Sequence, residues 1–492
     1  VVCHVARDDK RLVAMREALA FFAPDVPVIT FPGWDCLPYD RVSPNADISA
    51  TRMATLAALV HEMPKRFVLL TTLNAATQRV PARALLKEAA FTASVGNRVD
   101  EAGLRAFLVR MGFVQAPTVT EPGDYAIRGG IIDIFPPGDG GPVRLDFFGD
   151  TLDGSRRFDP VTQRTTEKLD FIELAPVSEV ILDEAAITRF RQNYRLEFGA
   201  AGTDDPLYEA ISAGRKHAGV EHWLSFFHER LETLFDYLPH ATVALDDQST
   251  AMRLSRWEAI EDQYDTRREA LTAKGRIDSV YKPAPPHGLY LDDADWNKAI
   301  GDHRVLQFAA LPQPTGPGVI DASGRIGRNF SPERQQETVS LFGALAAHVQ
   351  ERRKSTQVVI ASYSEGARER LQGLMEDQDI TGARLIDDWR DVPEGHGGVF
   401  LAIWALDHGF EAQDRFCVIS EQDVLGDRLV RAPKKKRRAE NFLTEHQTLS
   451  PNDLIVHVDH GVGRYMGLEV VTALGAPHEC IHLEYAGGDR LF

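Results

Sequence analysis

Five consecutive residues, His478 to His482, read H-E-C-I-H and match the H-E-x-x-H string of zinc proteases. That string binds zinc on a helix, where residues i and i+4 share one face. The flanking residues alternate as in a strand, on which the two histidines would stand roughly 13 Å apart, at about 3.3 Å per residue. One zinc ion cannot bridge that gap, because it lies about 2.1 Å from each histidine nitrogen. We therefore predict a strand with two exposed histidines and no metal site.

The segment VRLDFFGD, residues 143–150, carries residue types suited to protein recognition. If it forms a strand, alternate residues build an apolar core face, and the opposite face carries Arg144, Asp146 and Phe148. Arginine and aromatic side chains are enriched at the centres of protein interfaces. The segment therefore predicts a docking face. The alternative is that Phe148 packs under a neighbouring loop as a satellite core.

The basic run Lys434–Arg438, KKKRR, is the strongest candidate for a nucleic-acid contact. It lies in a charged segment without helix caps, which favours a solvated linker, and a contact to DNA or to an acidic partner is the alternative. The chain has a net charge of −17. A uniformly acidic surface repels DNA, so binding of DNA would need such a local basic patch or a separate domain.

Three expected absences narrow the function classes. No G-x-x-x-x-G-K-[ST] loop occurs in the 492 residues, so we expect no triphosphate cradle, no ATP hydrolysis and no cofactor in this chain. No run of about 18 apolar residues predicts a membrane span. The four cysteines form no C-x-x-C pair and predict reduced thiols in a cytosolic protein.

The order of periodic segments predicts an α/β protein of several domains. A β-α-β-α-β order at the start predicts a parallel sheet, which a run of strands with glycine and proline turns then interrupts. Helices return, a second α/β unit follows, and a charged linker leads to a β-rich segment. The sequence stops on Leu491-Phe492 without a turn or cap, so we expect that last domain to be truncated here. The predicted segments are 1–88, 89–178, 179–316, 317–428, 429–450 and 451–492.

Four stretches together resemble known proteins. Residues 125–160, YAIRGGIIDIFPPGDGGPVRLDFFGDTLDGSRRFDP, resemble a strand pair of UvrB-type repair proteins, where R-G-x-hydrophobic-hydrophobic-D/E-I-F-P precedes a strand ending F-F-G-D. FPGWDCLPYDRVSPNADISATRMATL at 31–56, DHGFEAQDRFCVISEQDVLGDR at 407–428 and VHVDHGVGRYMGLE at 456–469 resemble the bacterial transcription-repair coupling factor family. The resemblance covers nearly the whole chain in order.

The resemblance implies a specific architecture. It implies a degenerate, helicase-like parallel α/β module that is interrupted by a β-rich UvrA-binding domain at 89–178. A third α/β domain and a truncated, Tudor-like RNA polymerase-interaction domain follow. In the family, a C-terminal helicase-type translocase uses ATP and Mg²⁺, and we expect that motor to lie outside this chain.

The resemblance also assigns binding residues. Arg128, Arg144 and Phe148 match the family's contacts to UvrA. GRYMGLEVV resembles the strand that pairs with an edge of the RNA polymerase β subunit, and Val471 matches the family's apolar contact. Val470 lies next to it, and strand alternation exposes one of the two. The alternative is that Val471 belongs to the core of a small barrel.

The implied function is a scaffold that binds stalled RNA polymerase and recruits UvrA, which couples transcription to nucleotide excision repair. In the full-length protein, ATP-driven translocation on double-stranded DNA would displace the polymerase. We expect a cytoplasmic monomer. One rival is a UvrB-like damage-binding helicase subunit, which DNA-dependent ATPase activity of this chain would favour. Another is a transcription regulator that binds polymerase but not UvrA.

Overall fold

A computed structural model describes the chain except for 62, 90, 139–140, 200–204, 273–280, 337–339, 379, 381, 413–414, 427–453, 458–460, 474–475, 486–488 and 492. The chain divides into two compact units, Val1–Arg428 and Leu429–Phe492. Several sheets with helices against them confirm the prediction of an α/β multidomain protein. The predicted linker and its basic run Lys434–Arg438 lie outside the described residues. No helix in the described part is long and apolar enough to cross a membrane.

The first part of the chain alternates strands and helices, as the sequence predicts. Asp8 caps the first helix, because its carboxylate accepts a hydrogen bond from the Arg11 backbone N–H. The elements are β1 Val2–Ala6, α1 Asp9–Phe22, β2 Val28–Phe31, α2 Ala46–Val60, β3 Val68–Thr72, α3 Leu73–Ala76, β4 Val80–Pro81 and α4 Arg83–Glu88.

Strands dominate the next segment. Helix α5 and β5 precede a six-stranded sheet in the order β11-β10-β9-β8-β7-β6. All neighbours in that sheet are antiparallel except β6 and β7, as expected of strands joined by short turns. We call it the inserted sheet. The elements are β5 Phe91–Ser94, α5 Glu101–Arg110, β6 Val114–Gln115, β7 Asp124–Arg128, β8 Ile131–Ile134, β9 Val143–Phe148, β10 Thr151–Phe158, β11 Thr165–Leu169 and β12 Phe171–Leu174.

The chain then returns to the first sheet. Its later strands β14 and β15 join β1, β2 and β3 in one parallel sheet of order β15-β14-β1-β3-β2. The core of this sheet therefore requires two stretches of chain that the inserted sheet separates. The elements are α6 Glu184–Phe198, α7 Pro206–Ser212, α8 Leu224–Phe227, β13 Leu231–Glu232, β14 Thr242–Leu245, α9 Ser249–Thr272, α10 Asp293–Ile300 and β15 Arg304–Gln307.

A second α/β sheet follows in the order β16-β20-β21-β17-β19-β18. It packs against the end of α1, where Phe21 stacks on Trp404 at 4.7 Å between ring centroids and Phe22 lies 5.3 Å from Trp389. The elements are β16 Gly324–Ile326, α11 Ser331–Arg334, α12 Leu341–Arg352, β17 Gln357–Ser362, α13 Glu365–Glu376, β18 Arg384–Ile386, β19 Val399–Ile403, β20 Phe410–Ala412, β21 Phe416–Ser420 and α14 Glu421–Leu425.

The second unit is an antiparallel sheet of order β22-β23-β24-β25. Its strands are β22 Leu454–His457, β23 Gly461–Ala473, β24 Ala476–Glu484 and β25 Arg490–Leu491. The H-E-C-I-H string lies within β24, which confirms the predicted strand and removes the helical geometry that a zinc protease needs. His482 is half-buried rather than exposed.

A buried ion pair fixes the point where the chain leaves the inserted sheet. Arg52 of α2 and Glu179, which follows β12, have side chains 0% and 1% exposed, and Nε of Arg52 lies 2.5 Å from Oε1 of Glu179. Trp34 Nε1 donates to the same carboxylate at 3.1 Å, and the guanidinium lies 4.3 Å from the Phe31 ring centroid. The buried charges of Arg52 and Glu179 thus have each other and the neighbouring aromatic side chains as partners, as burial of charge requires.

Breaking this pair should be more damaging than replacing it. We expect Glu179→Leu to destabilise the chain by about 3–5 kcal/mol, because a buried guanidinium loses its counter-charge. The double variant Arg52→Met/Glu179→Leu should recover a large part of that loss. Urea unfolding of both variants tests this expectation, and a double variant less stable than the single one would contradict it.

Candidate docking site

Two tight turns bring the predicted docking residues to one end of the inserted sheet. Arg128 ends β7 just before Gly129-Gly130, and Phe148 ends β9 just before Gly149. Both Gly129 and Gly149 have positive φ values, of 63° and 64°, which favour glycine. A Cβ on Gly130 would lie 2.8 Å from the Phe147 carbonyl oxygen, so this turn has no room for a side chain.

Strand register places Arg128 and Phe148 on the same face. Arg128 pairs with Ile131, and Ile131 pairs with Asp146 on β9. Phe148 follows Asp146 by two residues and therefore projects from the same side of the sheet. We call this surface, made by Arg128, Ile131, Asp146 and Phe148, the docking face. Sequence reasoning missed Ile131, although the Gly-Gly hairpin turn fixes its pairing with Arg128.

Phe148 is 83% exposed, which confirms the solvent-facing expectation and contradicts the satellite-core alternative for this residue. A satellite core does exist on the same side of the sheet, but Val119, Ala126 and Phe158 form it. The opposite side of β9 is the main core, as predicted, with Leu145 fully buried. The strand that carries Phe148 is therefore anchored by the core on its opposite side, and the Phe148 ring remains in solvent.

Arg144 is placed differently from the expectation that it stands exposed. Its side chain is only 19% exposed, and its Nε and Nη2 lie 2.7 and 2.9 Å from the two carboxylate oxygens of Asp133, itself 2% exposed. The guanidinium also lies 4.9 Å from the Phe158 ring centroid. The hydrogen bonds to Asp133 raise the pKa of Arg144 above its usual value despite the partial burial. Arg144 thus braces β8, β9 and β10 on the same side of the sheet as the docking face, farther along β9.

Arg128 is exposed, and a hydrogen bond fixes its guanidinium at the edge of the docking face. Its Nη2 donates to the Pro117 carbonyl at 2.6 Å. Asp146 pairs with Arg156 at 3.2 Å, so the carboxylate on this face is partly neutralised. The face can therefore offer an aromatic ring and a guanidinium to a partner with an apolar pocket and an acidic rim.

The second unit offers a strand edge. Val470 and Val471 lie on β23 opposite Glu479 and His478 of β24. Pairing of β23 with β22 ends at Arg464, whereas pairing with β24 continues to Ala473. Among the described residues, the other edge of β23 beyond Arg464 pairs with no strand. Such an edge can accept a strand from a partner. The side chains of Val470 and Val471 lie outside the described residues.

The carboxyl edge of the parallel sheet, where α/β folds commonly bind nucleotides, is occupied by an ion pair. Asp246 follows β14 and accepts from Nε and Nη2 of Arg11 at 3.1 and 3.2 Å. Although burial opposes ionisation, this guanidinium holds the pKa of Asp246 below its usual value. The loop after β1 adds a second ion pair, between Arg7 and Asp8 at 3.4 Å. The guanidinium groups at this edge are thus already engaged by carboxylates of the chain.

The different placements of Arg144 and Phe148 predict different effects on stability. Arg144→Ala should cost about 1–3 kcal/mol, because Asp133 remains as an unpaired buried charge. Phe148→Ala should change the free energy of unfolding by less than about 0.5 kcal/mol, as for other exposed positions. Urea unfolding of the two variants makes the comparison, and equal losses would contradict the geometry.

Three family models match the chain in order. Residues 91–179 match the UvrB interaction domain, residues 352–424 match the MFD, D3 domain, and residues 449–492 match the CarD-like/TRCF RID domain. The first match contains the docking face, the second most of the second α/β sheet, and the third the second unit.

Relatives match along nearly the whole chain. The transcription-repair-coupling factor of Escherichia coli strain K12 is 31% identical over an alignment of 499 positions, which covers 99% of this chain and 42% of that protein. The same protein of Myxococcus xanthus is 31% identical over 525 residues, covering 100% of this chain and 42% of its own length. That of Bacillus subtilis strain 168 is 24% identical over an alignment of 499 positions, which covers 95% of this chain and 40% of that protein. The chain thus spans about two fifths of the length of these relatives. Over nearly its whole length it is similar to transcription-repair-coupling factors, and three domain models match it in order.

Proposed function

We propose that this chain is the recruitment part of a transcription-repair coupling factor, which binds UvrA through the docking face and RNA polymerase through the edge of β23. The proposal for UvrA rests on Phe148, whose ring is 83% exposed at the end of β9. This strand lies inside the segment that matches the UvrB interaction domain. An exposed phenylalanine on such a scaffold serves no packing role in the free chain.

Rigidity makes the docking face suited to tight binding. Binding loses affinity when side chains and backbone must first be ordered. Here the Gly129-Gly130 and Gly149 turns fix the strand ends, and the pair of Arg144 with Asp133 ties adjacent strands. Phe148 and Arg128 are therefore preorganised, and UvrA would need to supply an apolar pocket beside a carboxylate. In this proposal Arg144 contributes chiefly by holding the face in shape.

The polymerase part of the proposal rests on the C-terminal unit. The match to the CarD-like/TRCF RID domain favours strand addition by the RNA polymerase β subunit. So does the edge of β23 beyond Arg464, which pairs with no strand in the part of the chain that the structure describes. In that mode, backbone hydrogen bonds supply affinity and side-chain pockets at alternate residues supply selectivity. Val471, with Val470 beside it, would supply the apolar contact.

In this proposal, ATP hydrolysis belongs to a part of the protein that lies outside this chain. The chain lacks a phosphate-binding loop, and the Arg11–Asp246 pair occupies the edge where phosphates would bind. We therefore interpret the parallel sheet as a helicase-like module without its motor chemistry, in a monomeric scaffold. A translocase in the remaining length of the relatives would use ATP and Mg²⁺ to move on double-stranded DNA and displace stalled polymerase. These features disfavour a UvrB-like helicase subunit.

Removal of the Phe148 ring should weaken binding to UvrA. Truncation of a central interface aromatic commonly costs about 2 kcal/mol, or roughly thirtyfold in affinity. We expect that loss for Phe148→Ala in a titration of purified UvrA. The matched control is Phe171→Ala, since Phe171 is an exposed aromatic of the same domain, on β12 and 52% exposed, but outside the inserted sheet.

If Phe148→Ala keeps its fold and binds UvrA with the same affinity as the unaltered chain, the assignment of the UvrA site to this strand is wrong. Equal weakening by both phenylalanine variants would indicate a diffuse apolar effect instead of a docking site.

A charge at Val471 should weaken binding to RNA polymerase. Val471→Arg would bring a guanidinium to an apolar contact, and we expect a loss of at least about 1.4 kcal/mol, or tenfold. Binding of the chain to RNA polymerase core enzyme measures it. Val462→Arg is the control, because Val462 is exposed on the same strand but in the part that pairs with β22. Tenfold weakening by the control alone would reverse the assignment of the edge.

A further inference from the structure

We propose that His348, Glu411 and Cys417, in the second α/β sheet, bind one zinc ion. The three residues lie far from the docking face in sequence, and the proposal is independent of the proposed function. They are brought together by two strands and one helix, whereas the string H-E-C-I-H offers its histidines on a single strand.

The sheet itself aligns two of the three ligands. Glu411 of β20 and Cys417 of β21 are direct antiparallel partners, so their side chains project from the same face. Helix α12 packs on that face through Leu345 and Val349, which share one core cluster with Cys417. His348 on the same helix then meets the glutamate and the cysteine.

The three ligand atoms already lie at the spacing that zinc requires. Sγ of Cys417 is 3.6 Å from Oε1 of Glu411 and 4.0 Å from Nε2 of His348, and that nitrogen is 3.8 Å from the same Oε1. The point equidistant from atoms so spaced is about 2.2 Å from each, between the usual Zn–N and Zn–O distances of about 2.0–2.2 Å and the Zn–S distance of about 2.3 Å. A tetrahedral zinc ion lies off the plane of its three protein ligands, so the three atoms would move slightly closer together when the ion binds.

The surroundings suit a metal with nitrogen and sulfur ligands. Cys417 is buried, and the side chains of His348 and Glu411 are 11% and 14% exposed, so the cluster lies near the surface, where water could supply a fourth ligand. Arg352 pairs with Oε2 of Glu411 and leaves Oε1 toward the other two ligands, as outer-shell partners of metal-bound carboxylates do. Thiolate and imidazole favour zinc over magnesium or calcium.

Two electrostatic features act in opposite directions. Burial, with Arg328 and Arg352 nearby, lowers the pKa of His348 to about 4, so its imidazole is neutral and Nε2 can donate its lone pair to a metal. Burial raises the pKa of Cys417, so zinc must displace the thiol proton when it binds.

The experiment uses the whole chain after treatment with a chelator. Calorimetric titration with Zn²⁺ should show a site of one equivalent, and Co²⁺ as a probe should give a thiolate-to-metal charge-transfer absorption. Cys417→Ser should abolish that absorption. His348→Gln should weaken zinc binding by more than about 100-fold, since loss of even an outer-shell partner costs about 10–100-fold.

Three matched controls test other sources of binding. Cys36→Ser removes a free thiol elsewhere in the chain, and Cys480→Ser removes the cysteine of the H-E-C-I-H string. His287→Gln disrupts a second group with Asp292 and Asp295, in which Asp295 already pairs with Arg79 at 2.5 Å. We expect all three to bind zinc like the unaltered chain.

If the unaltered chain does not bind one equivalent of Zn²⁺ tightly, the proposal is wrong. A Co²⁺ spectrum without thiolate-to-metal absorption would also overturn it. Loss of binding in a control with retention in His348→Gln would also overturn it. If Cys417→Ser does not fold, His348→Gln decides, because its side chain lies at the edge of the core and glutamine preserves most of its volume.

Discussion

The buried pair of Arg52 and Glu179 closes a parallel sheet whose strands come from two distant stretches of chain. β1 to β3 precede the inserted sheet and β14 and β15 follow it, so the chain must leave the first domain and return to it. Glu179 lies at the return, and Arg52 lies on the helix that covers the strands already formed. A charged pair of this kind adds little net stability over an apolar one, but each partner is costly to bury alone. The pair therefore favours the arrangement in which the chain that returns from the insertion meets helix α2.

That anchoring allows the inserted sheet to present a surface without contributing to the first core. One side of its strands is committed to a separate apolar cluster, and the other carries Arg128 and Phe148. Arg144 lies on the same side as Phe148, but its guanidinium pairs with Asp133 and lies 4.9 Å from the Phe158 ring centroid. A residue type that is common at interfaces here acts as internal support.

The two proposed binding surfaces use different physical devices. The docking face relies on preformed side chains, so its selectivity would come from one ring and one guanidinium. The edge of β23 relies on backbone groups that no strand of the described residues pairs. Any strand could satisfy such groups, so selectivity there must come from side chains such as Val471. Two devices on separate compact units can bind two partners without competition for the same groups.

The sequence by itself determined features that depend on local pattern. Strand alternation predicted the apolar and solvent-facing sides of β9 and the strand that carries His478 and His482, because side-chain direction in a strand repeats every two residues. The absent phosphate loop is likewise visible in the sequence alone. The relation to the coupling factors followed from the order of several short motifs, since no single motif is specific.

Only the tertiary structure decided which charged and polar groups meet. The pairing of Arg144 with Asp133 depends on the register of two strands, and that of Arg52 with Glu179 on the return of the chain across the insertion. His348, Glu411 and Cys417 converge because a helix crosses two paired strands. Residue type and spacing leave these partners open, because a contact between distant segments is selected by the packing of whole elements and not by local conformational preference.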